Sequence, residues 1–101
     1  MDAQDDVAAF LERHELQTDP AYRALDLASE VGEVAKELNE STTYGADPEA
    51  AAIARDELGD ALFALLALCT EADVDAGAAL EESLEKYERR LEASGSAGSG
   101  S

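Results

Sequence analysis

The nine residues Ala61-Leu62-Phe63-Ala64-Leu65-Leu66-Ala67-Leu68-Cys69 carry no charge and no turn former, and they constrain the fold more than any other stretch. The run is too short to cross a bilayer, which takes about 20 apolar residues in a helix. Wound as a helix it is apolar nearly all round, so it predicts a central, buried helix covered on more than one side. Leu58, Leu62, Leu65 and Cys69 form its main stripe. Cys69 reads there as a small buried hydrophobe, and as the single cysteine it excludes an internal disulfide.

The covering elements are marked by punctuation. Val7, Phe10, Leu11 and His14 recur at helical spacing and predict a first helix from about Asp2 to Leu16. Thr18-Asp19-Pro20 places a capping residue before a proline suited to a first helical position, opening a second helix that extends to about Glu40. Ser41 to Ala46 is a loop by composition. Asp47-Pro48 repeats the cap-then-proline signal and predicts a third helix lasting to about Glu71. A break at Asp73-Val74-Asp75 precedes a fourth, from Ala76 to about Glu92. No segment has strand periodicity, so the class is all-α: a four-helix domain over residues 1–93, with a flexible Gly/Ser tail over 94–101. A chain of 101 residues buries only a modest share of its surface alone, so oligomerisation is expected to complete the core.

Charge narrows the function. The chain has 24 acidic against 7 basic residues, a net charge of -17, which repels nucleic-acid backbones and anionic lipid heads. The apolar runs argue against disorder, and a halophilic or salt-adapted source is the reading that accommodates such self-repulsion. Acids near the N-terminus, where a signal peptide needs positive charge, predict a soluble, cytoplasmic protein.

Within this acidity, two pairs stand apart. Glu30-Val31-Gly32-Glu33 and Glu57-Leu58-Gly59-Asp60 each set two carboxylates three residues apart, side by side on a helix face. Glu30 and Glu33 edge the stripe Leu27, Val31, Val34 and Leu38, in a row with Asp26 and Glu37, while Glu57 and Asp60 edge the stripe of the third helix. Four carboxylates facing each other near a core either protonate or bind a hard cation. Oxygen ligands without His or Cys favour Mg²⁺ or Mn²⁺, which keep open positions for water and substrate phosphates. Solvation of an acidic surface explains any one of these acids but not both pairs.

Bases are scarce, yet Lys86, Arg89 and Arg90 share one face of the last helix. They either balance Glu82, Glu85 and the helix C-terminus or clamp phosphates. Lys36, one turn beyond Glu33, is either a second phosphate contact or a partner of Glu40.

Leu27-Ala28-Ser29-Glu30-Val31-Gly32-Glu33-Val34 resembles the E-x-x-E helix of MazG-like nucleotide pyrophosphohydrolases. Asp56 to Leu65 is similar to their E-x-x-D helix, and Val74-Asp75 with Lys86-Tyr87-Glu88-Arg89-Arg90-Leu91 to their last helix. The resemblance implies a MazG-like helical bundle that hydrolyses nucleoside triphosphates between the α and β phosphates, in nucleotide-pool house-cleaning. It implies magnesium held by Glu30, Glu33, Glu57 and Asp60, a water oriented by a glutamate (Glu33 and Glu57 are the catalytic candidates), and phosphate contacts from Lys86 and Arg89. It further implies a homodimer or homotetramer with sites between subunits. By position, Phe10 and His14 are candidates for base binding. Many relatives carry a glutamate where this chain has Ser29, and an asparagine where it has Leu84. Phosphoribosyl-ATP pyrophosphohydrolases share the carboxylate plan but follow it with a Tyr-His pair, where this chain has Phe63-Ala64. A non-catalytic helical interaction module is the alternative from another class; it gives no reason for paired acids beside two apolar stripes.

Overall fold

The computed structural model describes residues 1–94. They form four α-helices, α1 (Asp2–Arg13), α2 (Pro20–Ser41), α3 (Arg55–Glu71) and α4 (Ala76–Ser94), and a 3-10 turn at Pro48–Ala50. The fold is all-α, with no strand among the described residues. Ser94 closes α4; the rest of the tail expected from composition lies outside the described residues.

The third helix starts seven residues later than the Asp47-Pro48 signal predicts, at Arg55 rather than Pro48. The reason lies in α2. The Ser41 hydroxyl accepts the Ala52 N–H at 3.0 Å, and the Glu37 carboxylate accepts the Ala54 N–H at 2.7 Å. These contacts draw residues 51–54 along α2, and Ala54 enters α3 with extended backbone. Asp19 does occupy the N-cap position of α2, although its side chain makes no capping bond. The first helix ends early, at Arg13, because Glu15 adopts a left-handed φ of 55° and Leu16 N–H bonds back to the Leu11 carbonyl at 2.8 Å. Asp73 (φ 59°) and the Val74 N–H to Cys69 carbonyl bond, also 2.8 Å, close α3 in the same way.

As predicted, α3 is central: it lies antiparallel against α2 and also packs on α1. Which side it buries differs from the prediction. Ala64, Leu66 and Ala67 are buried, as is Leu11 of α1 at 1% exposure. Leu58, Leu62 and Leu65, the expected main stripe, are 51%, 52% and 43% exposed. Cys69 is half-buried. A helix apolar on several sides does not itself dictate which side goes in. On α2, Leu27, Val34 and Leu38 are half-buried, whereas Val31 is exposed.

The fourth helix is joined to this three-helix unit mainly at its root. The Gln4 side-chain amide donates to the Val74 carbonyl at 2.7 Å and accepts the Ala76 N–H at 2.8 Å. Asp75 caps α4 through the Ala78 N–H at 3.1 Å. That bond, the Met1 amino group and the Gly77 N–H hold the Asp75 carboxyl below the ordinary range. A Cβ at Gly77 would meet Asp75 Oδ1 at 3.2 Å and Met1 Cβ at 3.5 Å, so glycine there admits both neighbours. Beyond its root α4 packs extensively on no other helix among the described residues, and Leu80, Leu84 and Leu91 are exposed along it.

Gly59 sits inside α3, where glycine costs about 1 kcal/mol relative to alanine, and nothing lies within 4 Å of a Cβ built there.

Since Leu11 is almost fully buried on α1, which packs on α3, Leu11→Ala is expected to destabilise the fold by about 2–5 kcal/mol. Urea unfolding followed by circular dichroism measures it, and a change below about 1 kcal/mol would contradict the core described.

Candidate metal centre

Glu30 belongs to the middle of α2, Glu57 to the first turn of α3, and Asp60 follows one turn later. The antiparallel contact sets these turns opposite each other. One carboxylate oxygen from each of Glu30, Glu57 and Asp60 lies within 4.8 Å of the others. Glu30 and Glu57 are half-buried and Asp60 is exposed, so the group sits at the edge of the helix contact and opens to solvent.

The electrostatics of the group are unbalanced. Partial burial, then the negative charges of Glu37, Asp56, Glu33 and Asp60, hold the Glu57 carboxyl above the ordinary carboxylate range. Three converging hard oxygens, one of them resisting ionisation because of its neighbours, suit a small divalent cation of the magnesium or manganese kind. The set lacks the nitrogen or sulfur donors that favour zinc or copper.

The fourth expected ligand, Glu33, is exposed and outside the three-way convergence, although its charge is felt at Glu57. Lys36 is exposed one turn further along α2. Lys86, Arg89 and Arg90 all lie on α4, and no α4 residue lines the cavity beside the carboxylates. Lys86 and Arg89 instead border a surface recess with Glu82 and Glu85. The Lys86 ammonium lies 4.9 Å from the Tyr87 ring centre and the Arg90 guanidinium 5.6 Å from it.

That cavity, about 190 Å³, is lined by Arg23, Asp26, Glu30, Asp60, Phe63 and Ala64. Phe63 meets Phe10 edge-on with ring centres 5.9 Å apart, and Phe10 lies 4.6 Å from the His14 ring. Phe10 and His14, both exposed, are therefore linked to the carboxylate group through Phe63. A separate recess of about 340 Å³ at the start of α1 and the end of α3 contains none of the predicted site residues.

Two residues of this region escaped the sequence reading. Arg23 is buried, donates to the Leu16 carbonyl and lies 3.8 Å from both Asp26 and Glu71; both ion pairs among the described residues are its own. Glu71 also accepts the Thr18 N–H, tying the α1–α2 connection to the end of α3. A lone base in so acidic a chain, three residues into an apolar helix, was the available signal. Phe63 was read as part of the apolar run and as a departure from a Tyr-His pair, not as a lining residue of this cavity.

The family model described as the MazG nucleotide pyrophosphohydrolase domain matches residues 18–93, a span that holds both acid pairs and α4 up to its last residue. No curated protein and no solved structure matches the chain.

A raised Glu57 pKa favours the protonated folded form. Its contribution to stability is full below the unfolded carboxylate pKa and is lost as pH rises through the raised folded value. Without divalent cations the melting temperature should therefore fall over that window. Glu57→Gln should flatten this part of the profile and leave the protein more stable above it. Thermal melts from pH 4 to about 8 in EDTA test this, and an unchanged slope in the variant would contradict it.

Proposed function

The chain belongs to the MazG nucleotide pyrophosphohydrolase family, and from that premise we propose that it hydrolyses nucleoside or deoxynucleoside triphosphates to the monophosphate and pyrophosphate. The observation that carries this reading is the convergence of Glu30, Glu57 and Asp60 from two helices inside the matched span. These three, joined by Glu33 one turn from Glu30, would hold Mg²⁺, with Mn²⁺ the natural substitute. The ion, when bound, supplies charge neutralisation on the phosphates and a more acidic water.

The chain's own residues do the rest. Glu33 and Glu57 are the catalytic pair: the solvent-facing Glu33 carboxylate would orient the attacking water and accept its proton, and Glu57 would hold the ion beside it. Lys36, Lys86, Arg89 and Arg90 bind phosphate oxygens. For the α4 residues that requires another copy, because α4 lies outside the carboxylate cavity of its own chain. The active unit in this reading is a homodimer or homotetramer. The Phe10–Phe63 contact and the adjoining His14 offer an aromatic surface beside the carboxylates against which a base can stack. The role is house-cleaning of the nucleotide pool in a salt-rich cytoplasm. The charge of -17 opposes binding to nucleic acid and to an anionic membrane surface; no described helix is long and apolar enough to span a bilayer.

The test is pyrophosphate release from a panel of nucleoside triphosphates in concentrated potassium chloride, with Mg²⁺ or with EDTA. Release should depend on Mg²⁺ and yield monophosphates. Changing a residue that only hydrogen-bonds to a metal ligand already costs about 10–100-fold, so Glu57→Gln, which removes a ligand carboxylate, should lose at least about 100-fold. A folded protein that turns over no nucleotide would overturn the reading.

A further inference from the structure

Arg23, Asp26 and Glu30 stand three and four residues apart on α2 and form one row. Asp60, Phe63 and Ala64 form another on α3, and the two rows line one cavity of about 190 Å³. Glu30 and Asp60 belong to the carboxylate group, whereas Arg23, Asp26 and Phe63 have no part in it. Arg23 is only 9% exposed, yet it makes a single hydrogen bond, from Nη2 to the Leu16 carbonyl. Its Nε is buried without one, and its ion pairs, from Nε to Glu71 and from Nη1 to Asp26, both measure 3.8 Å, beyond hydrogen-bond reach. The guanidinium is therefore held on its Leu16 side and has donors to spare towards Asp26. The Asp26 carboxylate is 63% exposed and makes no hydrogen bond among the described residues.

We propose that Arg23 and Asp26 read the base of the nucleotide in this cavity, and that the base they select is guanine. A guanidinium only donates, and a carboxylate only accepts, through two oxygens. Guanine is the one common base whose edge presents two adjacent N–H groups followed by a carbonyl oxygen. Asp26 can accept from both N–H groups while Arg23 Nη1 donates to the oxygen. Adenine and cytosine place one amino group beside a bare ring nitrogen, which in either orientation leaves the second Asp26 oxygen facing a lone pair. Uracil and thymine flank their N–H with carbonyls, with the same result. A phosphate group only accepts, so Asp26 repels it. Phe63 supplies the flat wall on which the ring stacks. Asp26 and Arg23 lie four and seven residues before Glu30, about 6 and 10 Å along the helix. That distance leaves the span of a sugar between the base and phosphates at the carboxylates. The selectivity rests on the nucleotide chemistry proposed for those carboxylates and adds the identity of the base.

Isothermal titration calorimetry of the full chain with α,β-methylene triphosphates of guanosine, inosine, adenosine, cytidine and uridine tests it, in concentrated potassium chloride with Mg²⁺. The methylene link resists cleavage, so the readout is binding and not turnover. The guanosine analogue is expected to bind at least about tenfold tighter than the adenosine, cytidine and uridine analogues. Inosine, which lacks only the amino group, should bind more weakly than guanosine. Asp26→Asn changes an exposed side chain and removes one of the two acceptors, so it should erase the guanosine advantage, with circular dichroism establishing that the variant is folded. Equal binding of all the analogues, tighter binding of a different base, inosine equal to guanosine, or an undiminished guanosine preference in Asp26→Asn would each overturn the proposal. Any of these from a protein that hydrolyses triphosphates leaves the pyrophosphohydrolase reading standing. A guanosine preference in a protein without turnover sinks that reading alone, and a folded, Mg²⁺-treated chain that binds none of the analogues sinks both.

Discussion

Where α2 crosses α3, like charges are held together by packing that has nothing to do with charge. Ala64 and Ala67 are buried on α3, which packs against α2. Leu27, Val34 and Leu38 of α2 are half-buried. Apolar burial contributes about 25 cal/mol for each Å² removed from water, whereas a like-charge pair at helical spacing costs a few tenths of a kcal/mol. A contact of this size can therefore hold Glu30, Glu57 and Asp60 together against their mutual repulsion. The raised Glu57 carboxyl is the local record of that imbalance.

The ends of the contact are fastened by polar groups. At one end Arg23 and Glu71 bridge α2, α3 and the connection from α1. At the other, Glu37 and Ser41 receive backbone N–H groups of the segment that leads into α3. The carboxylate group lies between these fastenings. Its register is thus fixed from both sides, by residues that do not belong to the group.

Much of this could be read from sequence because it is encoded locally. Pro20 opens α2 where the cap-then-proline signal put it, the break before Ala76 was correctly located, and three-residue spacing set Glu57 beside Asp60 on one helix. What escaped depends on distant partners. The start of α3 was misplaced because side chains of α2 intercept the N–H groups that Asp47-Pro48 would otherwise have led into a helix. The buried side of α3 was misjudged because periodicity identifies apolar rows, while the shape of the facing helix decides between a leucine row and an alanine row. Glu33 has the same local signature as Glu30, and only the crossing of the helices separates the two.

The attachment of α4 has a mechanical side. The Gln4 amide grips the chain on both sides of Asp75, as a neighbouring strand would, and fixes a pivot. From that pivot 19 residues extend with little lateral support, a rod roughly 28 Å long at 1.5 Å per residue. Tilting such a rod by about 10° at its base carries its tip through roughly 5 Å. Lys86, Arg89 and Arg90 ride on the outer half, so the aim of the only basic cluster in the chain is set by one glutamine side chain at the opposite end of the helix.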